Sequence, residues 1–597
     1  MNDKPQKAEN FWGSLKRLLS LLGTEKLVIF IVFLAAILGI VFTIATPTVL
    51  GWATDVIVHS AFNNASLDWT ALNKYLAILV SCYLLGSLLN WFSSWLLNRS
   101  VMRVIFQLRQ DIEAKLHRLP LSYFDSNKRG DIISRTTNDV DNIQTALQQG
   151  FSTVVSSGVK IIAVLGIMLW LSWQLALISL LSIPLMGILV GVIGVRAQKL
   201  FTKQWAATGE VNAHVEESFS GHELVRVFNR DEEMLAKFTE RNTELRDTAI
   251  KAQALSGIFF PATQFVNYLV FVLTAIVGAL KVVSGVMTVG QVVAFLNYSR
   301  MFSEPVGQIS SMAQMLQSGV ASAERTFQLL DATEQEPDSA NTVLGETATG
   351  HVAFKNVEFS YTPEKPLIED LSLEVQPGQT VAIVGPTGAG KTTLVNLIMR
   401  FYELNSGSIQ IDGVDIRELS RSELRRRVGM VLQDAFLFTG TIRENIRYGN
   451  LDASDEDVIA AAKATMVDHF VRLLPDGYDT VLEENGSTLS SGERQLLTIA
   501  RAFVAQPSLL ILDEATSSVD TRTEVLVQKA MNSLRAGRTS FVIAHRLSTI
   551  RDADLIIMME NGKVVEQGTH QELASRGGSY AKLLAAQFNT ETTESEN

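Results

Sequence analysis

Long apolar runs crowd the first 320 residues of this 597-residue chain, and shorter alternating or amphipathic patterns fill the remainder. A helix needs ~20 largely apolar residues to cross a bilayer. Six stretches meet that length: 27–52, 73–97, 152–172, 175–195, 255–280 and 290–315. The sixth is the least apolar, because Arg300 and Glu304 interrupt it, so it must face protein or water rather than lipid. Ahead of the first span, residues 10–22 place Phe11, Leu15, Leu18, Leu19 and Leu22 at helical spacing, with Lys16 and Arg17 on the other side. That pattern predicts a helix lying in the membrane interface.

The connections alternate. Those near 59–72, 173–174 and 281–289 are short and carry few basic residues, whereas 98–151 and 196–254 are long and highly charged. Excess Lys and Arg favour the cytoplasmic side, which places the long connections, the N-terminus and the C-terminal half inside. Trp170 and Trp173 then fall at the outer interface. Both long connections keep helical periodicity and read as cytoplasmic continuations of the spans, broken near Pro120–Gly130 and near Ser220–Gly221. Lys160, inside the third span, is an ionisable group at membrane depth. It reads either as a contact for an anionic part of a substrate or as a structural, water-facing group. Glu304, beside Pro305, could line the same cavity.

Composition agrees with this division. Charged residues are 19% of the chain, below the ~25% of ordinary soluble domains. The net charge of −11 implies no general affinity for nucleic acid. The single cysteine, Cys82, excludes an internal disulfide, and no Cys/His metal spacing is present. The first apolar run is too long for a cleaved signal peptide. Residues 329–350 turn acidic, small and turn-forming, and read as a linker between a membrane domain (1–328) and a nucleotide-binding domain (351–585); a polar, disordered tail (586–597) follows.

The second domain opens on strand-like runs and reaches GPTGAGKTT, residues Gly385, Pro386, Thr387, Gly388, Ala389, Gly390, Lys391, Thr392 and Thr393. This is the G-x-x-x-x-G-K-[ST] phosphate cradle. Glycines let backbone N–H groups curl around a phosphate chain, the lysine reaches the β/γ-phosphates and the Thr392 hydroxyl is offered to Mg²⁺. TVAIV before it reads as a buried strand, and an apolar helical pattern follows it. A second run, LLILDE at 509–514, delivers Asp513 and Glu514 to a strand end. Asp513 suits the Mg²⁺ shell, and Glu514 suits orienting or deprotonating an attacking water.

In these residues the domain resembles the ATP-binding cassette family, and residues ~10 to ~585 together resemble an exporter-type half-transporter of that family. LSSGERQ at 489–495 is close to the family signature LSGGQ. Gln433 matches the glutamine loop, Ser517-Ser518-Val519-Asp520 the D-loop, His545 the switch histidine and Tyr361 the aromatic that stacks on adenine. The resemblance implies a fold of an all-α membrane domain, six transmembrane helices with long cytoplasmic extensions, followed by an α/β P-loop ATPase domain. It implies ATP and Mg²⁺ as cofactors, with Thr392, Gln433 and Asp513 toward the metal and Glu514 and His545 as catalytic residues. It also implies a second half-transporter as partner, each ATP lying between the P-loop of one chain and the signature of the other. The two helical breaks resemble the family's coupling helices.

One departure stands out. Where the signature has Gly this chain has Ser491, and where Gln is usual it has Glu493, flanked by Ser490 and Gly492. A Cβ at 491 crowds a helix N-terminus that meets phosphate, and a carboxylate at 493 adds negative charge there. The segment 483–488 also departs from the exporter pattern, while Lys391, Asp513, Glu514 and His545 are intact. The pattern resembles the intact half of a heterodimeric exporter with one degenerate site; a homodimer with harmless variation is the alternative. The expected activity is ATP-driven export of amphipathic small molecules or lipids across the cell membrane. An importer on the same fold, an ATP-gated channel and a soluble P-loop ATPase are its rivals.

Overall fold

The computed structural model describes residues 9–338 except 65, 349–513 except 484, 485 and 487, then 521–544 and 546–588. Glu514, the D-loop residues Ser517, Ser518, Val519 and Asp520, His545, residues 339–348 of the linker and residues 589–597 of the tail lie outside the described residues. The chain forms two compact units: Met1–His117 with Asn127–Ala332, and Arg118–Ser126 with Thr333–Asn597.

The first unit is helical. Among the described residues, four helical stretches are long and apolar enough to cross a membrane: Lys26–Phe62, Trp69–Leu116, Trp173–Ser220 and Asp231–Val283; a shorter apolar helix covers Ser156–Leu171. The sixth expected span falls inside a 43-residue helix, Val289–Asp331, which is not among the four. Its polar residues, Arg300 and Glu304 among them, dilute its apolar stretch. At 1.5 Å per residue the 48-residue helix Trp69–Leu116 is about 72 Å long, more than twice a ~30 Å hydrocarbon core, so it continues well beyond any bilayer. Asp68 starts it by accepting the N–H groups of Thr70 and Ala71 at 3.0 and 2.9 Å. Thr288 and Gln291 form a reciprocal cap on Val289–Asp331, and Asp55 accepts from the Thr288 hydroxyl and the Gly290 N–H, both at 2.7 Å. That carboxylate ties the end of the first span to the start of the sixth.

The N-terminal helix, Phe11–Leu21, shares its apolar face between the protein and the outside. Leu18 is buried, as is Leu22 just beyond the helix, while Trp12 is exposed. Arg17 pairs with Asp331 and lies 4.2 Å over the Phe327 ring, and Glu324 accepts the backbone N–H groups of Glu9 and Asn10. Leu18 and Leu22 of the stripe are thus buried in protein while Leu19 stays exposed, and periodicity alone does not distinguish burial in protein from a membrane surface.

Both interruptions predicted in the long connections occur. A short helix, Leu121–Ser126, follows the first, and His222–Val227 joins the antiparallel pair Val195–Ser220 and Asp231–Gly257. His214 Nε2 meets the Met234 carbonyl at 3.1 Å and fastens that pair. At its tip, Phe219, Leu224, Val227 and Phe228 are exposed.

The second unit is α/β. Its strands are β1 (Val352–Phe359), β2 (Ile368–Val375), β3 (Thr380–Val384), β4 (Ser406–Ile411), β5 (Val414–Asp415), β6 (Val428–Val431), β7 (Gly440–Thr441), β8 (Val481–Leu482), β9 (Leu509–Asp513), β10 (Thr539–Ile543), β11 (Leu555–Glu560) and β12 (Lys563–Gly568). An antiparallel sheet, β2-β1-β4-β5, packs near a six-stranded sheet, β12-β11-β3-β10-β9-β6, parallel except for the β12 edge. β3 and β10 bury nearly every residue, as strands covered on both faces do.

Candidate nucleotide-binding site

The register of the parallel strands builds the site. Ile543 of β10 pairs with Ile383 of β3 on one side and with Asp513 of β9 on the other, and Val431 of β6 pairs with Leu512. The P-loop after β3, Asp513 at the end of β9 and Gln433 just beyond β6 therefore share the carboxyl edge of one sheet. Ligands of open α/β sheets bind at that edge. Three segments far apart in the chain are thus brought together by strand order.

The loop is held open by backbone geometry. Gly385 has φ +152°, and a Cβ there would lie 2.2 Å from the Met559 carbonyl oxygen, so no other residue fits. Gly390, at φ +98°, turns the chain into the helix Lys391–Ile398. The Ala389 carbonyl accepts from Gly562 N–H at 3.1 Å, which anchors the loop to the β11–β12 turn. Pro386, Thr387 and Gly388 are exposed, and Thr392 presents its hydroxyl from the first turn of the helix. Thr393 is buried.

Lys391 Nζ donates to the carbonyls of Gly385 and Pro386 at 2.7 and 3.0 Å. The ammonium thus lies across the mouth of the loop, where a polyphosphate would exchange these carbonyls for phosphate oxygens. Burial lowers its pKa below that of a free lysine, and the nearby charge of Asp513 acts in the opposite direction. A loop with left-handed glycines, a lysine spanning it and a helix N-terminus behind it fits a nucleoside polyphosphate. Among the described residues no group of three His, Cys, Asp or Glu side chains is arranged for a metal.

Tyr361 is half exposed, and its hydroxyl shares a 3.1 Å hydrogen bond with that of Thr393. Its ring is gripped edge-on by Phe359 and by Tyr402, each at 4.9 Å between centroids, which leaves a face for a flat base. Sequence reasoning did not single out Tyr402. Its phenol donates to Asp125 of the Leu121–Ser126 helix, and burial together with that carboxylate pushes its pKa well up. The same unit holds this segment by further bonds: Gln335 N–H to the Arg118 carbonyl at 2.9 Å, Gln335 Nε2 to the Leu119 carbonyl at 2.7 Å, and Arg118 to Glu334 at 3.1 Å. Beside them a cleft of about 200 Å³ is lined by Pro120, Tyr402 and the ion-paired Arg400, Glu403 and Arg421.

The signature segment gives Glu493 a local role as well. Ser490 is the N-cap of the helix Ser491–Val504, and Glu493 turns back to accept from the Ser490 N–H at 2.9 Å and its hydroxyl at 2.8 Å. This reciprocal cap was readable as S-x-x-E. The carboxylate is used to start the helix, so Glu493 has a structural reason independent of any loss of function; Gly492 is buried behind it. Glu493→Gln should keep the cap and, in the assembled transporter, lower the KM for ATP by about two- to fivefold as one negative charge leaves a helix N-terminus. Glu493→Ala should cost about 0.3–1.5 kcal/mol of cassette stability, read as a lower Tm. An unchanged KM in Glu493→Gln would show that the carboxylate's charge does not reach the nucleotide.

Comparison with known proteins agrees with this geometry. Residues 29–306 match the ABC transporter transmembrane region, and residues 368–517 match the ABC transporter family. A fatty acid ABC transporter ATP-binding/permease protein of Mycobacterium bovis is 45% identical over 615 residues, covering 97% of each chain. A putative multidrug export ATP-binding/permease protein of Bacillus subtilis is 36% identical over 577 residues, covering 96% of this chain and 99% of the relative. An ATP-dependent lipid A-core flippase of Syntrophus aciditrophicus is 34% identical over 542 residues, 90% of each. A multi-pass membrane region fused to a P-loop ATPase in one chain, matched end to end by such relatives, leads to one conclusion: this protein belongs to the ABC transporter family, as an exporter-type half-transporter whose ATPase is coupled to transport.

Proposed function

We propose that the chain exports amphipathic lipids, fatty acids or drug-like molecules across the cell membrane, as one half of a dimer, by alternating access. The observation that carries this reading is the convergence of the P-loop, Asp513 and Gln433 at one sheet edge in a chain that also supplies membrane-crossing helices. The relatives named for fatty acids, multidrug export and lipid A-core support an amphipathic substrate. In this reading Lys391 and the loop N–H groups bind ATP, Tyr361 stacks on its base, and Thr392, Asp513 and Gln433 hold Mg²⁺. Mg²⁺ held there would screen the phosphate charge. Glu514 orients or deprotonates the attacking water, and His545 stabilises the phosphate being released.

A second chain completes the site. The signature helix begins with Ser490–Glu493, and its N-terminus is directed to the partner's ATP, with Asp520 at the same interface. ATP binding favours the closed dimer because each nucleotide contacts both halves only there. The exposed Phe219, Leu224, Val227 and Phe228 at the tip of the second cytoplasmic hairpin suit a partner surface. Ser491 favours a heterodimer in which this chain supplies the intact P-loop, Asp513, Glu514 and His545.

Purified alone in lipid nanodiscs, the chain should show little substrate-stimulated ATPase and regain it with its partner half. Robust stimulated activity of the single chain would establish a homodimer. Glu514→Gln should lower turnover by about 10²–10⁴-fold in either assembly. In inside-out vesicles, ATP-dependent accumulation of a labelled amphiphile supports export; depletion would reverse the direction, and unitary currents would indicate a channel.

A further inference from the structure

We infer that Lys160 and Glu304 form an exchangeable ion pair that receives the carboxylate of an acidic amphiphile during transport. The inference rests on the amphipathic-substrate reading above and adds the headgroup and the residues that select it.

Lys160 lies in the helix Phe151–Leu171 and Glu304 in Val289–Asp331, and these two helices pack along one another. Counting from their ends on the short-connection side, Lys160 lies about 16 Å and Glu304 about 22 Å into a ~30 Å core. Both charges are therefore at membrane depth, where ionised groups are expensive unless paired and set toward protein or water. They do pair, but loosely. Lys160 Nζ is 3.7 Å from Glu304 Oε2, beyond hydrogen-bond length, and Glu304 also accepts a long 3.4 Å contact from Gln308. The Lys160 side chain is 25% exposed and that of Glu304 62%.

That arrangement is a poor structural staple. A structural pair at this depth gains most from short, charge-assisted bonds with both partners shielded. Here the acid is the more accessible partner and the lysine is partly enclosed. An incoming carboxylate can therefore take the position of Glu304 beside Lys160 while Glu304 turns to water. The lysine keeps one anion throughout, so the exchange strands no unpaired charge in an apolar layer. A single lysine neutralises a single negative charge, which favours a carboxylate over a phosphate monoester carrying about −1.5 to −2.

The test uses the purified transporter in nanodiscs, with ATPase stimulation read against oleate, methyl oleate and oleyl phosphate. Wild type should respond to oleate at lower concentration than to oleyl phosphate. Lys160→Gln should raise the half-maximal oleate concentration about tenfold or more and leave methyl oleate unchanged; Lys160→Arg should restore the oleate response. Glu304→Gln, which removes the resident competitor, should lower the half-maximal oleate concentration. The inference is overturned if Lys160→Gln shifts oleate and its ester alike, which marks a structural role, or shifts neither. It is also overturned if oleyl phosphate is the ligand that depends on Lys160. If no amphiphile, charged or uncharged, stimulates wild type, the substrate reading itself fails, and the inference with it.

Discussion

Lys391→Met should lower kcat/KM for ATP by about 10²–10³-fold or more while leaving the cassette folded. The Lys391 ammonium rests on its own loop. It donates to two carbonyls of its own loop, Gly385 and Pro386, and is partly desolvated near Asp513. Those carbonyls are modest acceptors compared with phosphate oxygens, so the lysine's strongest partner is the incoming anion. Methionine keeps an unbranched apolar stem, one atom shorter, but removes the charge. The loop itself depends on the Gly385 backbone and the bond from Gly562 to Ala389, neither of which the substitution touches. Fluorescent-nucleotide binding and phosphate release, with Tm as a folding control, decide the matter. Near-normal hydrolysis with an unchanged Tm would remove Lys391 from the phosphate site.

Tyr402→Phe should separate transport from hydrolysis. The ring packs edge-on against Tyr361 and Phe359, and phenylalanine preserves that packing, so the base site should survive. The hydroxyl alone reaches Asp125, in a segment that belongs to the cassette's compact unit yet is continuous in sequence with membrane-unit helices on both sides. A bond to a charged acceptor contributes about 1.5–3 kcal/mol, or about tenfold or more in an equilibrium. ATPase activity should stay within about twofold of wild type while transport per ATP falls about tenfold. Asp125→Ala should reproduce the defect, and the double variant should be no worse than either single one, as expected of two groups acting through one bond. An unchanged transport-to-hydrolysis ratio in Tyr402→Phe would place coupling elsewhere.

Much of the molecule was legible before its shape. Apolar runs separated by charged connections gave the two-part organisation, because lipid and water impose different compositions on the chain. The two breaks in the long helical connections fell where turns and short helices occur, because Pro120 and the glycines weaken helix locally. The P-loop was readable because few sequences bend tightly around phosphate, and the structure shows that Gly385 cannot be replaced without meeting Met559. Glu493 was legible too, as half of a capping box, but a functional explanation of its charge overshadowed the local one.

What sequence alone determined, then, was the set of local properties: which stretches are apolar, which loops are glycine-shaped, and which residues have phosphate and metal chemistry. Each depends on neighbours within a turn or two. Only tertiary structure decided which distant residues meet. The order β3-β10-β9-β6 set Asp513 and Gln433 beside the P-loop, and helix packing gave the Leu18 face of the first helix a protein partner. The same packing joined Tyr402 to Asp125 and Lys160 to Glu304. Those partnerships depend on how helices rotate and strands cross, and hydrophobic periodicity records only that a face is buried, not what buries it.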